Sequence, residues 1–257
     1  MESFERRTTP DGIAWLISNP LRARGVIAAF TDRTGGESED PFGSLNLGFK
    51  EGDLPDAVRR NRELVVEALG CPPFATAQQV HGSLVGDVGP AQAGQGFHDL
   101  EGLEGCDALV TSQREVSLAI LTADCLPIAM TDGRRVAAVH AGWRGLRARV
   151  LAVVLTYFPD PSEVTAAIGP AIGPCHYEVG EEVVRQVAHG VHGEAVAERR
   201  DGSWFLDLAA TAEGVLRARG VEDVHAAGLC TACEAARFFS YRRDGRTGRQ
   251  AMVAMRR

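Results

Sequence analysis

Three residues of this sequence, His81, Cys125 and His140, are of types that bind transition metals or take part in nucleophilic catalysis. Each lies at or just after the end of a short apolar segment, within QVHG, ADCLPI and VHAGWRG respectively. If those segments are strands, their ends can meet at one edge of a sheet although they are distant in sequence. Two imidazoles and one thiolate are a typical ligand set for catalytic zinc, and they leave the fourth position open for water or substrate.

The same three residues also allow a plainer interpretation. Cys125 can be a small buried side chain, and the two histidines can form hydrogen bonds within the core. Structural zinc usually has closely spaced pairs of ligands, and that pattern is absent here. Spacing alone therefore favours ordinary core residues, and it leaves the metal site open as an alternative.

Two further pairs contain metal-binding residue types, namely Cys175-His176 and Cys230-x-x-Cys233. Taken singly, the first pair lacks further ligands, and the second lacks the additional pair that a zinc ribbon requires. We therefore expect neither a second metal ion nor redox chemistry at these positions.

Short apolar runs in the middle of the chain predict the strands that would position the candidate residues. Strands are predicted at 13–17, 25–31, 74–80, 83–88, 107–111, 117–122, 126–131, 135–140, 164–168, 224–228 and 250–255, and helices at 53–69, 144–157, 181–189 and 207–219. Because several strands follow one another without a helix between them, mixed sheets with flanking helices are expected. No linker is evident, so residues 1–257 are predicted to form a single domain.

The composition is typical of a folded protein that binds neither nucleic acid nor membrane. Of the 257 residues, 45% are hydrophobic, the net charge is −7 and no basic face is evident. No apolar stretch approaches the length needed to cross a bilayer, and the polar N-terminus does not resemble a secretory signal. The cytoplasm is therefore the expected location. Because Lys50 is the only lysine, a phosphate site would have to use arginine.

Six motifs together resemble the laccase-domain family. They are QVHG, DALVT, LTADCLPI, VHAGWRG, IGPAIGPCHYEVG and FFSYRRDG, and they occur between about residues 25 and 255 in the order that the family has them. Members of this family were labelled polyphenol oxidases and are now described as purine nucleoside phosphorylases with adenosine deaminase side activity. The resemblance implies an α+β fold in which two mixed β-sheets pack as a sandwich with helices on the outside.

The resemblance also implies roles for individual residues. The zinc ligands of the family correspond to His81, Cys125 and His140, which reverses the interpretation from spacing alone. Asp124 precedes the cysteine and is a candidate for orienting a histidine or moving a proton, although it could equally cap a turn. Candidates for binding substrate or phosphate are Asn46, Arg62, Arg144 and Arg242.

Arg144 lies in GWRG, where a strand is expected to give way to a helix. Glycines there would let backbone N–H groups approach an anion, and a helix N-terminus would attract it. A plain turn with a solvated arginine is the alternative for this segment. Arg62, considered by itself, would be a solvated helix charge.

The resemblance implies a zinc-dependent phosphorolysis of adenosine, inosine, guanosine or methylthioadenosine to free base and ribose-1-phosphate, with slow deamination of adenosine. One alternative is a hydrolase with Cys125 as nucleophile and His140 as its base. Another is a non-catalytic protein that binds zinc and acts through a partner. A multicopper phenol oxidase needs about ten histidines, many in His-x-His pairs. This chain has seven histidines and no such pair, so that alternative is disfavoured.

Overall fold

The computed structural model describes residues 2–193 and 195–257. Its strands are β1 Phe4–Thr8, β2 Ala14–Ser18, β3 Val26–Thr31, β4 Leu84–Asp87, β5 Cys106–Thr111, β6 Ser117–Thr122, β7 Leu126–Thr131, β8 Val136–Ala141, β9 Thr165–Ile168, β10 Glu178–Val179, β11 Ala197–Arg200, β12 Ser203–Leu206, β13 Asp223–Ala226 and β14 Gln250–Arg256. Its helices are α1 Asn19–Ala23, α2 Pro55–Leu69, α3 Trp143–Arg147, α4 Val150–Leu155, α5 Glu181–Val191, α6 Leu208–Ala218 and α7 Tyr241–Asp244. None of the described helices is both long and apolar enough to span a membrane.

Two large sheets form the centre of the molecule. One has the strand order β1-β2-β3-β14-β6, and all its pairs are antiparallel. The other has the order β13-β9-β7-β8-β5-β4, with parallel pairs at both edges and antiparallel pairs between them. The predicted α+β sandwich is confirmed, but only the six-stranded sheet is mixed. A small third sheet, β10-β12-β11, was not predicted.

Alternation of side chains along the strands builds three apolar layers. Between the sheets, Phe30 and Met252 of the five-stranded sheet pack in one cluster with Leu109 of the six-stranded sheet. Val65 and Leu69 of α2 pack on the outer face of the five-stranded sheet. Helices α3 to α6 contribute to the cluster on the outer face of the six-stranded sheet. The order of layers is therefore helix, sheet, sheet, helix, as expected.

Local departures from the predicted elements have backbone causes. The helix predicted at 144–157 is divided into α3 and α4 because Arg149 has left-handed backbone angles, with φ of 64°. Residues 74–80 do not form a strand, since only Ala75 and Ala77 make single bridges to neighbouring segments. The polar segment β1 is an edge strand that pairs with β2 alone, which explains why hydrophobic alternation did not predict it.

Candidate active site

The fold brings His81, Cys125 and His140 together. His81 lies in the loop before β4, and Cys125 lies in the turn where the chain passes from β6 of one sheet to β7 of the other. His140 is in β8 and pairs with Pro127 of β7. One potential ligand atom from each residue lies within 4.8 Å of the other two. These three residues, called the triad below, are exposed, half-buried and buried respectively.

A carboxylate that the sequence did not single out, Asp107, positions both histidines of the triad. Its Oδ1 accepts hydrogen bonds from His140 Nδ1 at 2.7 Å and from the backbone N–H of His81 at 2.9 Å. Its Oδ2 accepts from the backbone N–H groups of Gly82 at 2.6 Å and Val80 at 3.2 Å. Three successive backbone N–H groups thus point at one buried carboxylate. The left-handed backbone of His81, with φ of 63°, turns the chain so that all three can do so. Since Nδ1 of His140 is bound to Asp107, its Nε2 is free to bind a metal.

The charges of the triad stabilise one another. Burial alone would raise the pKa of Cys125, but His140 and, to a smaller extent, His81 lower it to about 6. Burial would lower the pKa of His140, but Cys125 and Asp107 raise it to about 9. The site therefore favours the thiolate of Cys125, which is the form of cysteine that binds metals and acts as a nucleophile.

Gly142, between β8 and α3, leaves room for two residues of the triad. A Cβ at this position would lie 2.8 Å from Cys125 Sγ and 3.5 Å from His81 Cδ2. The sequence led us to expect glycine here so that backbone N–H groups could approach an anion. The structure gives a different reason, because the space that a side chain would fill is occupied by the candidate metal ligands.

We therefore expect Gly142→Ala to weaken binding of a metal ion by the triad on the order of 10-fold, because the added methyl group would displace Cys125 Sγ from its place among the candidate ligands. The backbone angles of Gly142, φ −77° and ψ 177°, are accessible to alanine, so the effect would come from contact with Cys125. Gly214→Ala is the matched control, since a Cβ on this residue of α6 meets nothing within 4 Å. Competition with a chelator measures the affinity, and wild-type affinity in Gly142→Ala would contradict this assignment.

The triad opens into a cavity of about 530 Å³, a size typical of small-molecule sites. Its lining contains more cationic than acidic residues. The cationic ones are Lys50, Arg62, Arg144, Arg242 and Arg249, and the acidic ones are Glu51, Asp99 and Asp124. Glu51 is itself paired with Arg249 at 3.2 Å. The cavity therefore favours an anionic ligand, although the whole chain has a net charge of −7.

Arg62 is a buried cation in the wall of this cavity, and its interpretation as a solvated helix charge is wrong. Its Nε donates to the carbonyl of Leu47 at 2.8 Å, and its Nη1 donates to those of Gly96 and Phe97 at 2.6 and 2.9 Å. The guanidinium also lies 4.5 Å from the ring centre of Phe49. Burial lowers its pKa to about 10, so it stays charged at neutral pH. Its Nη2 has no hydrogen-bond partner among the described residues and is available to a ligand.

Arg144 and Arg242 also line the cavity, but both are exposed, and their guanidinium groups have different contacts. Arg144 stacks on Trp143, 4.6 Å from the ring centre, and its guanidinium makes no hydrogen bond or ion pair within the described part of the chain. Arg242 Nη1 donates to the carbonyls of Glu178 at 2.8 Å and His176 at 3.4 Å. Arg144 is therefore the freer of the two to bind a ligand.

The side chains of Asp124 and Asn46 both make hydrogen bonds within the protein. Asp124 lines the cavity, but its oxygens accept from Thr231 Oγ1 at 2.6 Å and from the N–H of Arg242 at 2.7 Å. It orients neither histidine, a role that belongs to Asp107, and its part in proton transfer stays a prediction. Asn46 is not among the residues that line the cavity, and its part in binding substrate stays a prediction. Its amide forms hydrogen bonds with Gly48 and Asp53 of its own loop, and its Oδ1 also accepts from the backbone N–H of Arg249 near the C-terminus.

Comparison with known proteins identifies the family. Residues 27–257 match the family model described as multi-copper polyphenol oxidoreductase laccase. The chain belongs to this family. A Pseudomonas aeruginosa protein named purine nucleoside phosphorylase is 42% identical over 248 residues, covering 93% of this chain and 97% of that protein. A Corynebacterium glutamicum protein of the same name is 37% identical over 240 residues, covering 90% of this chain and 95% of that protein.

Solved structures of similar proteins share the fold. YlmD from Geobacillus stearothermophilus superposes with a TM-score of 0.92 at 34% identity, and the match covers 100% of both chains. The Neisseria meningitidis protein NMB0706 superposes with a TM-score of 0.81 at 36% identity, with 99% of each chain covered. The family description names multi-copper chemistry, but seven histidines without a His-x-His pair remain too few for such a centre.

A second group of metal-binding side chains lies outside the triad. Cys175, His176, Cys230 and Cys233 are placed so that one potential ligand atom from each lies within 4.8 Å of the others. Each pair by itself has too few ligands, and the sequence therefore predicts no metal here. The fold contradicts that reasoning, since each pair supplies the ligands that the other lacks. We call these four residues the Cys3His cluster.

Proposed function

We propose that this protein is a zinc-dependent purine nucleoside phosphorylase, which converts a purine nucleoside and phosphate to the free base and ribose-1-phosphate. One observation carries the proposal: the triad and arginines with free donor groups open into the same cavity. The names of the Pseudomonas and Corynebacterium relatives support the same reaction. We further propose adenosine, inosine, guanosine and methylthioadenosine as substrates, deamination of adenosine as a side activity, and the cytoplasm as the location.

The triad has the chemistry of a zinc site. One thiolate and two imidazoles suit Zn²⁺, and three protein ligands leave a position open. Asp107 supports the fit, because its hydrogen bond to Nδ1 of His140 presents Nε2 to the metal. When bound, zinc would supply a Lewis acid at the edge of the cavity.

The arginines of the cavity would hold the attacking phosphate. Arg62 is already fixed by three carbonyl acceptors, so binding through its Nη2 costs little conformational entropy. Arg144 can add a planar fork to the same anion, and Arg242 lies in the same cavity wall. Together they would place the phosphate for attack at C1′ of the ribose and compensate its charge.

One observation favours a second candidate function. The pKa of about 6 for Cys125, beside His140 with a pKa of about 9, is also what a nucleophilic cysteine with a histidine base would have. A hydrolase of this kind would use Cys125 without metal. Loss of turnover on removal of zinc with a chelator, and its return when zinc is added, would exclude it.

The proposal predicts that Arg144→Ala raises the KM for phosphate much more than that for the nucleoside. A charge-assisted contact is worth about 1.5–3 kcal/mol, which corresponds to roughly a 10- to 150-fold higher phosphate requirement. With adenosine alone the enzyme should form inosine slowly, and added phosphate should bring adenine and ribose-1-phosphate. Arg144→Ala should lose the phosphate-dependent products and keep inosine formation, because attack of water at C6 does not use the phosphate site. Product chromatography with and without phosphate measures both.

Arg147→Ala is the matched control for this experiment. Arg147 is exposed on the same short helix, does not line the cavity and makes no side-chain hydrogen bond within the described residues. Its replacement removes the same charge and should leave both KM values unchanged. If Arg144→Ala loses phosphorolysis and deamination in strict proportion, Arg144 holds the nucleoside and not the phosphate.

A further inference from the structure

The four side chains of the Cys3His cluster have the spacing of a closed metal site. Cys233 Sγ lies 3.4 Å from both Cys175 Sγ and His176 Nδ1. The same Nδ1 lies 3.3 Å from Cys175 Sγ and 3.8 Å from Cys230 Sγ. In a tetrahedral zinc site with Zn–S of about 2.3 Å and Zn–N of about 2.0 Å, ligand atoms lie roughly 3.5–3.8 Å apart. One nitrogen and three sulfurs are thus arranged around a common centre.

We propose that the Cys3His cluster binds a second zinc ion, in a structural site separate from the triad. Three thiolates and an imidazole are a ligand set of structural zinc, and four protein ligands leave no position for substrate. The backbone N–H of Gly173 donates to Cys230 Sγ at 3.2 Å, a contact that stabilises a thiolate. The Cys-x-x-Cys spacing and the adjacent Cys175-His176 supply two close pairs, which is the pattern of structural sites that the triad lacks.

The second zinc would join two loops that form part of the cavity wall. On one loop, Tyr177 follows the ligand His176 and lines the cavity beside Arg242, whose Nη1 donates to the carbonyl of His176. On the other loop, Thr231 lies between the ligands Cys230 and Cys233 and donates to Asp124, the neighbour of Cys125. A metal that fixes both loops would therefore stabilise the side of the cavity where Asp124 and Arg242 meet.

Zinc content of the purified full-length protein, kept under reducing conditions, tests the proposal. Mass spectrometry should find two zinc ions per chain in the wild type. Cys125→Ala should retain one, Cys233→Ser should retain one, and the double variant should retain none. Cys71→Ser, a change at a cysteine outside both groups, should retain two. A folded Cys125→Ala protein without any zinc would overturn the second site. A folded Cys233→Ser protein that keeps two zinc ions would show that Cys233 is not a ligand, and this result would also overturn the proposal.

Cobalt replacement in Cys125→Ala tests the ligand set of the Cys3His cluster separately from the triad. The Co²⁺ spectrum should show the intense sulfur-to-metal charge transfer and the visible bands of a tetrahedral site with three thiolates. His176→Cys in the same background should keep one equivalent of metal and strengthen the charge-transfer band, since a fourth thiolate replaces the imidazole. Absence of that band in Cys125→Ala would overturn the proposal. A disulfide between Cys175 and Cys233, whose Sγ atoms lie 3.4 Å apart, would also overturn it; a thiol titration of the unfolded wild type would then find four free cysteines of the six, and peptide mapping would identify the pair.

Discussion

Replacing Cys125 with alanine should remove the zinc of the triad and abolish nucleoside turnover while the protein stays folded. The triad offers three ligands, so loss of one leaves two, and among the described residues no other histidine, cysteine or carboxylate belongs to this group. His81→Ala should have the same effect with the least disturbance of packing, because His81 is exposed. His140→Ala should also lower stability, because it leaves the buried Asp107 without its imidazole partner. Mass spectrometry measures the zinc content per chain, product chromatography measures turnover, and circular dichroism measures folding.

Two substitutions of the same residue types serve as controls for this prediction. His189→Ala changes an exposed histidine of α5, and Cys71→Ala changes a half-buried cysteine that takes part in neither metal-binding group. Both should keep wild-type zinc content and turnover. Cys125→Ala protein that retains full zinc would refute the ligand assignment. Turnover in that variant would refute both the zinc proposal and the nucleophile alternative.

Local patterns predicted most of the elements that position the triad. The segments that form β6, β7 and β8 are apolar on both faces, because one face packs against the opposite sheet and the other packs against helices. Short continuous apolar segments of this kind are recognised as buried strands. The positions of Cys125 and His140 relative to these strands could therefore be predicted. The break in the helix at Arg149 and the small third sheet could not be predicted, because they depend on backbone angles and on pairing partners that a local pattern does not contain.

Some residues of the site could likewise be predicted from the sequence, and others required the fold. Cys125 and the two histidines have chemically distinctive side chains, and the resemblance to a family was enough to group them. Asn46 also has a side chain that could bind a ligand, but the fold shows that its amide bonds with Gly48 of its own loop and with the N–H of Arg249 near the C-terminus. The Cys3His cluster was missed because its two pairs are separated by more than fifty residues, and pairing across such a distance depends on topology. The prediction of a single domain over residues 1–257 stays a prediction.

Asp107 was also missed, although the sequence contained a signal for it. An acidic residue next to the start of an apolar strand, in CDALVT, is out of place in a buried strand unless it has partners. Burial raises the pKa of Asp107, but hydrogen bonds from His140 and Gly82, with other contacts, lower it overall. The carboxylate is therefore kept ionised where it can accept from four donors at once.

Asp107→Asn should weaken zinc binding by the triad about 10- to 100-fold and reduce turnover accordingly, as loss of a hydrogen-bonded partner of a metal ligand typically does. An amide has one acceptor oxygen, so whichever way it is turned, its NH2 group faces N–H donors that the carboxylate now satisfies. If the amide oxygen keeps His140, the NH2 group faces the N–H of Gly82, at present 2.6 Å from Oδ2. The free energy of unfolding should also fall, by about 1–3 kcal/mol for each donor left without an acceptor.

The control for this change is Asp56→Asn, which removes the same charge from an exposed carboxylate of α2 whose contact is an ion pair with Arg59. It should alter neither zinc affinity nor, beyond a few tenths of a kcal/mol, stability. A saturating concentration of zinc should restore part of the turnover of Asp107→Asn, because the ligands remain and only their orientation is impaired. If zinc affinity is unchanged while stability falls, Asp107 acts only in folding. In that case His140 would be oriented by its packing within β8, and the hydrogen bond to Asp107 would have no part in presenting Nε2 to the metal.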